Sequence, residues 1–392
     1  MLKIFGDHQD NTIKQMWNCL AVGNVKQGVI CADGHQGYCS HPVGGVVAYK
    51  DQISISGVGF DIACGNMAVK TSRKFSDIGD IPEIARKIHK KIDFGMGGNY
   101  SVSRNDIKDV ALFDDEEAWK AADVEDLKRL AYGQLGTVGS GNHYIDLFEG
   151  DDGYVWVGVH FGSRGLGHKS ATKYLNLAGG VDGVDATPTI VDADSEIGVR
   201  YLAAMHLAGR YAYAGREWVV SNVCKILGAS VLDTVHNHHN FAWLEEHGGE
   251  KYWVVRKGAT PAWPGQRGFV GGSMGDNAVI IHGVDTPESK EALYSTVHGS
   301  GRVMGRMEAK GKKDKNTGEW KREPKITREQ MDEWMHAKGV HLVGGDVDES
   351  PMAYRRLSEV LAYQGATIVV ETQLRPFLVL MAGNEVRDAY KD

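Results

Sequence analysis

The stretch "SGVGFDIACGNM", residues 56–67, sets an aspartate and a cysteine three residues apart, Asp61 and Cys64, inside a glycine-bracketed segment. A free cysteine is usually a small buried hydrophobe, so the pair acquires meaning only from what accompanies it. The chain has five cysteines, Cys19, Cys31, Cys39, Cys64 and Cys224, an odd number spread over 392 residues. That usage argues against a disulfide framework and for reduced thiols, which leaves Cys64 free to bind metal.

A hydrophobic share of 42% with mixed charge is that of a globular protein with a real core. The opening "MLKIFGDHQDNTIKQMW" lacks a basic segment followed by an apolar run, and no uncharged stretch reaches the length of a membrane span. The expectation is a soluble, cytoplasmic, monomeric enzyme or binder with no membrane partner. A net charge of -7 argues against a nonspecific nucleic-acid coat but is compatible with a local basic groove.

The 50 glycines are well above the usual share of about 7%. They cluster beside polar and ionisable residues in "DGHQGYCSHPVGG", "LGTVGSGNHYIDL", "GVHFGSRGLGH", "VGGSMGDN" and "VHGSGRVMGR". Glycine in such places lets backbone turn tightly or approach a ligand, the pattern of a site assembled from many loops.

Without an internal repeat or a long linker, the chain reads as one domain over residues 1–392, with a basic surface insertion at 308–325, "EAKGKKDKNTGEWKREPK". "DQISISGVGFD" and "DGYVWVGVHFG" alternate as strands do, while "EKYWVV", "NAVIIHG", "ATIVVET" and "FLVLMAG" read as buried strands. Helices are predicted over 195–228 with Ser195 as N-cap and Gly228 as stop, over 81–91 behind Asp80 and Pro82, and over 326–336, where Thr327 and Gln330 have capping-box spacing. Periodicity thus supports a mixed α and β chain.

Three further segments place a histidine beside glycines or small polar residues: His143 in "GSGNHYID", His160 in "GVHFGSRGLGH" and His236 in "DTVHNHHN". With Asp61 and Cys64 they supply imidazole, carboxylate and thiolate, the donor set of a transition-metal site, with zinc as the competing reading. A fourth, "STVHGSGRVMGR", sets His298 before glycines and two arginines, Arg302 and Arg306. Glycine backbone and arginine forks suit phosphate oxygens. His298 there is a further ligand, a general base or a nucleophile.

Together these motifs resemble the RtcB family, GTP-dependent RNA ligases of tRNA splicing and RNA repair. "DGHQGYCSHPVGGV", "GVGFDIACG", "GSGNHYIDL", "HFGSRGLGH", "HNHHN", "RKGATPA", "GGSMG", "HGSGR" and "DESPMAY" follow in the family's order from about residue 28 to about residue 383. The resemblance implies an α+β, single-domain fold with mixed sheets, surrounding helices and a metal site in a central cleft. It also implies two Mn2+ ions on Asp61, Cys64, His143, His160 and His236, with the thiolate bridging, and His298 as the residue that is guanylylated by GTP. Asn142 and Asn237 would hold nucleotide phosphates and Arg164 the RNA-end phosphate. Gly272, Ser273 and Met274 in the 271–275 loop would line the guanine pocket, Tyr354 would stack on the base, and Gly299, Ser300, Gly301 and Arg302 would complete the nucleotide site.

The substrates so implied are RNA ends, a 3′-phosphate or 2′,3′-cyclic phosphate and a 5′-hydroxyl. Some members also use an archease-like activator, the protein partner that the resemblance carries. Two positions depart from the family's pattern. Asp146 stands where it mostly has Glu, and Met381 and Ala382 precede Gly383 where it usually has Lys-Gly, so guanine selectivity loses a donor. Lys391, further along, is the nearest following lysine. A hydrolase is the competing function: the same metal site without nucleotidyl transfer, opening cyclic phosphates or removing phosphates at RNA ends. An RNA-end-binding protein without turnover is a third.

Overall fold

The computed structural model describes residues 1–96, 110–314 and 317–386; Lys391 lies outside them. Two sheets carry the architecture. In chain order their strands are β1 (Leu2–Ile4), β2 (Val25–His35), β3 (Val43–Tyr49), β4 (Gly65–Lys74), β5 (Tyr144–Gly150), β6 (Tyr154–His160), β7 (Val231–His238), β8 (Asn240–His247), β9 (Glu250–Lys257), β10 (Arg267–Val270), β11 (Ala278–Gly283), β12 (His341–Val343) and β13 (Ile368–Met381). One five-stranded sheet has the order β1-β2-β3-β9-β8; the eight-stranded sheet runs β10-β11-β13-β5-β6-β4-β7, with β12 parallel on β13. Mixed sheets with helices packed around them make the fold α+β.

From the large sheet to the small one the chain passes at a single residue. β7 ends at His238, β8 begins at Asn240, and His239 alone lies between them. Cys64 immediately precedes β4, His143 immediately precedes β5, and His160 closes β6. The register sets Asn66 and Tyr144 on either side of His160, and Gly65 opposite His238. Strand ends therefore deliver the ionisable residues to one place.

The helices follow local sequence signals: α1 (Ile81–Lys91), α2 (Arg164–Leu177), α3 (Glu196–Leu227) and α4 (Arg328–Ala337). Ser195 accepts the Gly198 N–H at the start of α3, and Gly228 ends it with a left-handed φ of 62°. Asp80 caps α1, and Thr327 with Gln330 forms the capping box of α4. At 32 residues α3 crosses two apolar clusters: Tyr201, Met205 and Tyr211 pack into one, Val219, Val223 and Leu227 into the other. Between them sits the buried Arg216.

Three segments differ from the sequence reading. Residues 51–61 are not one strand: Gln52–Ser54 is extended, then Ile55–Val58 forms a helical turn in which the Ser54 hydroxyl accepts the Gly57 N–H. Serine competes for backbone donors in this way. "ATIVVET" and "FLVLMAG" belong to the single strand β13, which passes through Pro376 at a register shift, where a missing N–H is tolerated. In the 308–325 segment the described residues include a short antiparallel pair, Lys312–Lys313 with Trp320–Arg322, all exposed.

Gly65 is tied to its place by backbone rather than by conformation. A Cβ there would lie 2.2 Å from the Asn237 carbonyl oxygen, across the β4–β7 pair. Gly65→Ala is expected to destabilise the protein by about 1–3 kcal/mol, the usual cost of overpacking, seen as a lower urea midpoint. The strands must part there, so the bond from the His239 N–H to the Cys64 carbonyl, 2.8 Å, should be lost with it and metal retention should fall.

Candidate functional site

Cys64 is buried, and its Sγ lies 3.2 Å from His160 Nε2 and 3.8 Å from His143 Nε2. His143 Nε2 is also 3.2 Å from Asp61 Oδ2. Two donor groups thus share one sulfur: Asp61, Cys64 and His143, and Cys64, His160 and His239, with the ligand atoms of each group within 4.8 Å of one another. A carboxylate, a thiolate and three imidazoles suit borderline transition ions, and a sulfur common to both groups suits a bridged pair. The residues present therefore fit the metal centre that the family pattern implies.

The surroundings aim these atoms. The His160 Nδ1–H faces the Asn142 carbonyl at 3.1 Å, which turns Nε2 toward the sulfur. His239 Nδ1 is buried with no hydrogen-bond partner. Burial first, and the neighbouring histidines next, push His160 and His239 well below the ordinary imidazole range, so both stay neutral with a lone pair to give. Burial works against the Asp61 carboxylate, but the hydrogen bond and charge of His143 outweigh it and hold the group down at about 2. Gly162 leaves room for that carboxylate, since a Cβ would lie 2.1 Å from Asp61 Oδ1.

The structure brings together four of the five metal residues read from sequence; the fifth, His236, lies in neither donor group, and the histidine found there is His239. On β7 the side chains of His236 and His238 share one face, as residues two apart must. There Arg216 Nε donates to His236 Nε2 at 2.8 Å, and Nη2 lies 3.0 Å from His238 Nδ1. The nitrogen of His236 that would ligate is thus already taken by a cation. Arg216 also donates to the carbonyls of Ala63 and Phe161, at 3.1 and 2.5 Å, and so ties the residues beside Cys64 and His160 to α3. Asn237 points to the opposite face, where its Oδ1 accepts the Phe269 N–H. The asparagine of this segment that lines the cavity is Asn240.

His298 lines the same cavity, of about 510 Å³, as Asp61, Cys64, His160 and His239. Its Nδ1–H donates to Asp33 Oδ2 at 2.6 Å, and that oxygen also accepts the N–H groups of His298 and Gly299, at 2.9 and 3.2 Å. Asp33 is completely buried; burial opposes its charge, but the charge and hydrogen bonds of His298 outweigh burial and hold its carboxyl below the ordinary range. Nδ1 is thereby committed, and Nε2 is the ring nitrogen that Asp33 does not engage.

Asn142, Asp146, Gly272, Ser273, Met274, Gly299, Ser300, Gly301, Arg302 and Tyr354 also line the cavity. Arg302 is held by the Tyr354 hydroxyl at 2.7 Å, by Glu349 at 3.2 Å and by the Asp348 carbonyl at 2.6 Å, and its guanidinium lies over the Tyr354 ring. Arg164 is not among the lining residues. It is buried behind the metal donors, with Nη1 3.4 Å from His143 Nδ1 and Nη2 donating to the Gly95 carbonyl at 3.1 Å. Besides His239, Asn240 and Arg216, the sequence reading leaves out Asp33, which stands in the quoted "DGHQGYCSHPVGG", and Lys257 of "RKGATPA", whose Nζ reaches the Tyr38 carbonyl at 2.5 Å.

The family model described as tRNA-splicing ligase RtcB matches residues 15–382. The chain belongs to the RtcB family. Among curated relatives it is 31% identical over 378 residues to the tRNA-splicing ligase RtcB of Thermococcus kodakarensis, covering 77% of this chain and 78% of that protein. It is 29% identical to the RNA-splicing ligase RtcB of Escherichia coli K12, covering 88% of each. The tRNA-splicing ligase RtcB of Aeropyrum pernix is 29% identical over 90% of this chain and 87% of its own length. RtcB membership supports an RNA ligase, and no described helix is long and apolar enough to cross a membrane.

With His239 in a donor group and His236 outside both, opposite results are predicted for the two histidines. His239→Ala should lower bound metal, measured by elemental analysis of the purified protein after loading with Mn2+, whereas His236→Ala should keep the metal and lower the thermal midpoint. Retention by His239→Ala together with loss by His236→Ala would restore the original assignment.

Proposed function

We propose that this protein joins an RNA 3′-phosphate or 2′,3′-cyclic phosphate end to a 5′-hydroxyl end through a nucleotidyl group carried on His298. The observation that carries the reading is His298 with Nδ1 fixed on the buried Asp33, in the same cavity as two donor groups that share Cys64. A hydrolase needs the donor groups alone; an oriented, singly committed imidazole beside them is what a nucleophile requires.

Asp61, Cys64 and His143 would hold one ion and Cys64, His160 and His239 the other. When bound, a manganese pair supplies Lewis-acid neutralisation of phosphate charge.

The residues do the rest. Asp33 keeps the proton on Nδ1, so the Nε2 lone pair attacks the α-phosphorus of the nucleoside triphosphate; an N–P bond forms and pyrophosphate leaves. In the positive charge that develops on the imidazole, Asp33 finds its ion partner, which lowers the barrier as an orienting carboxylate does. The nucleotide then passes from Nε2 to an oxygen of the RNA 3′-phosphate, which has been opened from its cyclic form by water where necessary. Attack by the 5′-hydroxyl on that phosphorus forms the phosphodiester and expels the nucleoside monophosphate. Backbone N–H groups of Ser300 and Gly301, which line the cavity beside His298, would cradle phosphate oxygens, the Gly299 N–H being committed to Asp33. Asn142, beside His143, suits the same task, as does the second N–H of the Asn240 amide, which opens β8 with its other groups bonded to the Asp61 carbonyl and the Gly258 N–H; the resemblance carries GTP as the triphosphate.

Incubation with Mn2+ and nucleoside triphosphates should give an acid-labile adduct of one nucleoside monophosphate, read by intact mass. His298→Ala should abolish it, and Asp33→Ala should slow its formation by about 10²–10⁴-fold, the range of a lost proton-handling partner. No adduct with any triphosphate, but release of phosphate from RNA ends, would make the protein a hydrolase.

A further inference from the structure

The basic segment at 308–325 takes no part in the chemistry above. It carries seven Lys and Arg against four Asp and Glu, a net of +3 on a chain whose total is -7, so the remaining residues sum to -10. Its root is fixed at the mouth of the cavity. The exposed Val303 and Gly305 line the cavity, as do Arg306 and Glu308 of the helical turn Arg306–Ala309. The Lys325 N–H donates to the carbonyls of Glu308 and Ala309, at 3.3 and 3.1 Å, and the Ile326 N–H to that of Ala309 at 3.1 Å. Ala309 and Ile326 are buried together with Ala353. The chain therefore leaves and rejoins the body of the protein at the same rim.

Between these anchors stands the short antiparallel pair, with Lys312 opposite Arg322 and Lys313 opposite Trp320, all four exposed. Like charges set directly opposite on paired strands are destabilising. Two acids of the segment are turned to other lysines: Asp314 pairs with Lys321 at 2.6 Å, and Glu308 pairs with Lys325. In the second couple Lys313 Nζ lies 4.5 Å from the centre of the Trp320 ring, a cation–π contact. Gly311 braces the same ring, since a Cβ there would lie 2.8 Å from its Cζ3. Trp320 is nevertheless 41% exposed, so a held indole presents surface to solvent.

An exposed indole beside cations that repel one another costs the free protein stability and suits one class of ligand. Single-stranded nucleic acid offers phosphates to the cations and an unstacked base to the ring. An acidic protein surface would satisfy the cations and leave the ring without a stack. RNA is also the polyanion that the cavity receives on the reading above, and the rest of the chain is acidic. Lys312 follows Glu308 by four residues, so it stands within about 14 Å of a residue of the cavity wall.

Resting on the ligase reading above, we propose that the paired segments Lys312–Lys313 and Trp320–Arg322 are a docking surface for single-stranded RNA next to its reacting end, with Lys312 and Arg322 on phosphates and Trp320 stacked on a base. The surface grips the strand outside the cavity and takes no part in bond making.

The test is the affinity of the whole Mn2+-loaded protein, without nucleoside triphosphate, for a fluorescently labelled single-stranded RNA of about 15 nucleotides ending in a 3′-phosphate. Binding is read by anisotropy over a range of salt. Lys312→Ala combined with Arg322→Ala should weaken binding and make the salt slope shallower by about 1.4, two phosphate contacts at about 0.7 each on a single strand. The thermal midpoint of that variant should stay at or above the parent's, because the like-charge couple is gone. Trp320→Ala should weaken binding about fivefold to hundredfold, the effect of one lost base stack, and Trp320→Phe should restore it. Variants that bind this RNA as tightly as the parent, with the same salt slope, overturn the docking surface and leave the ligase reading intact. Displacement of the RNA by polyglutamate as effectively as by unlabelled RNA overturns the assignment in favour of an acidic protein partner. Failure of the parent protein to bind the RNA at any salt concentration overturns the ligase reading itself.

Discussion

Five buried ionisable side chains, gathered in two groups of three that share the Cys64 sulfur, are the constraint around which this molecule is arranged. A carboxylate, a thiol and three imidazoles cannot be gathered out of water without cost unless each is paired or coordinated. Cys64 concentrates the problem, because its sulfur belongs to both donor groups. The fold meets it by ending strands at the site: β4 starts after Cys64, β6 ends on His160, and His239 is the one residue by which the chain crosses from the large sheet to the small one. Four of the five donors, all but Asp61, thus lie on a paired strand or one residue from it. Arg216, rising from the middle of α3, completes the framework by accepting the cost of a buried cation in return for four partners, two of them carbonyls next to site residues. Burial pulls its guanidinium down to about 10, still protonated at neutral pH.

The same geometry separates two tasks. At one end of the cavity Asp33 commits one nitrogen of His298 and also takes the Gly299 N–H of the glycine-rich loop. At the other end, Tyr144, Met274, Val379 and Met381 surround one carboxyl. β5 begins directly after His143 and carries Asp146 as its third residue, so one strand joins the donor groups to the apolar end of the cavity.

Much of this was legible in the sequence. Caps at Asp80, Ser195 and Thr327 and the left-handed stop at Gly228 are local signals, set by side chains within a few residues of the helix end, and those helices lie where the sequence puts them. The Asp61, Cys64, His143 and His160 set was readable from residue type and glycine context. The last member of the donor groups was not: "HNHHN" offers two His-Asn pairs, and only the end of β7 at His238 decides that His236 faces Arg216 while His239 joins Cys64 and His160. Asp33 was hidden for a related reason, being 265 residues from the histidine it orients. Long-range partners of this kind leave no trace in spacing. The 51–61 segment misled in the opposite sense, since its alternation is genuine but Ser54 captures the Gly57 N–H and turns the chain.

The central claim is that the shared-sulfur donor groups and His298 form one ligating machine. The most direct measurement mixes an RNA ending in a 2′,3′-cyclic phosphate with an RNA beginning in a 5′-hydroxyl, in the presence of Mn2+ and nucleoside triphosphate, and resolves the products on a denaturing gel. The account predicts a joined RNA that requires triphosphate and carries the original phosphate at the junction. Opening of the cyclic end or loss of its phosphate, with no joined product at any triphosphate, would contradict it.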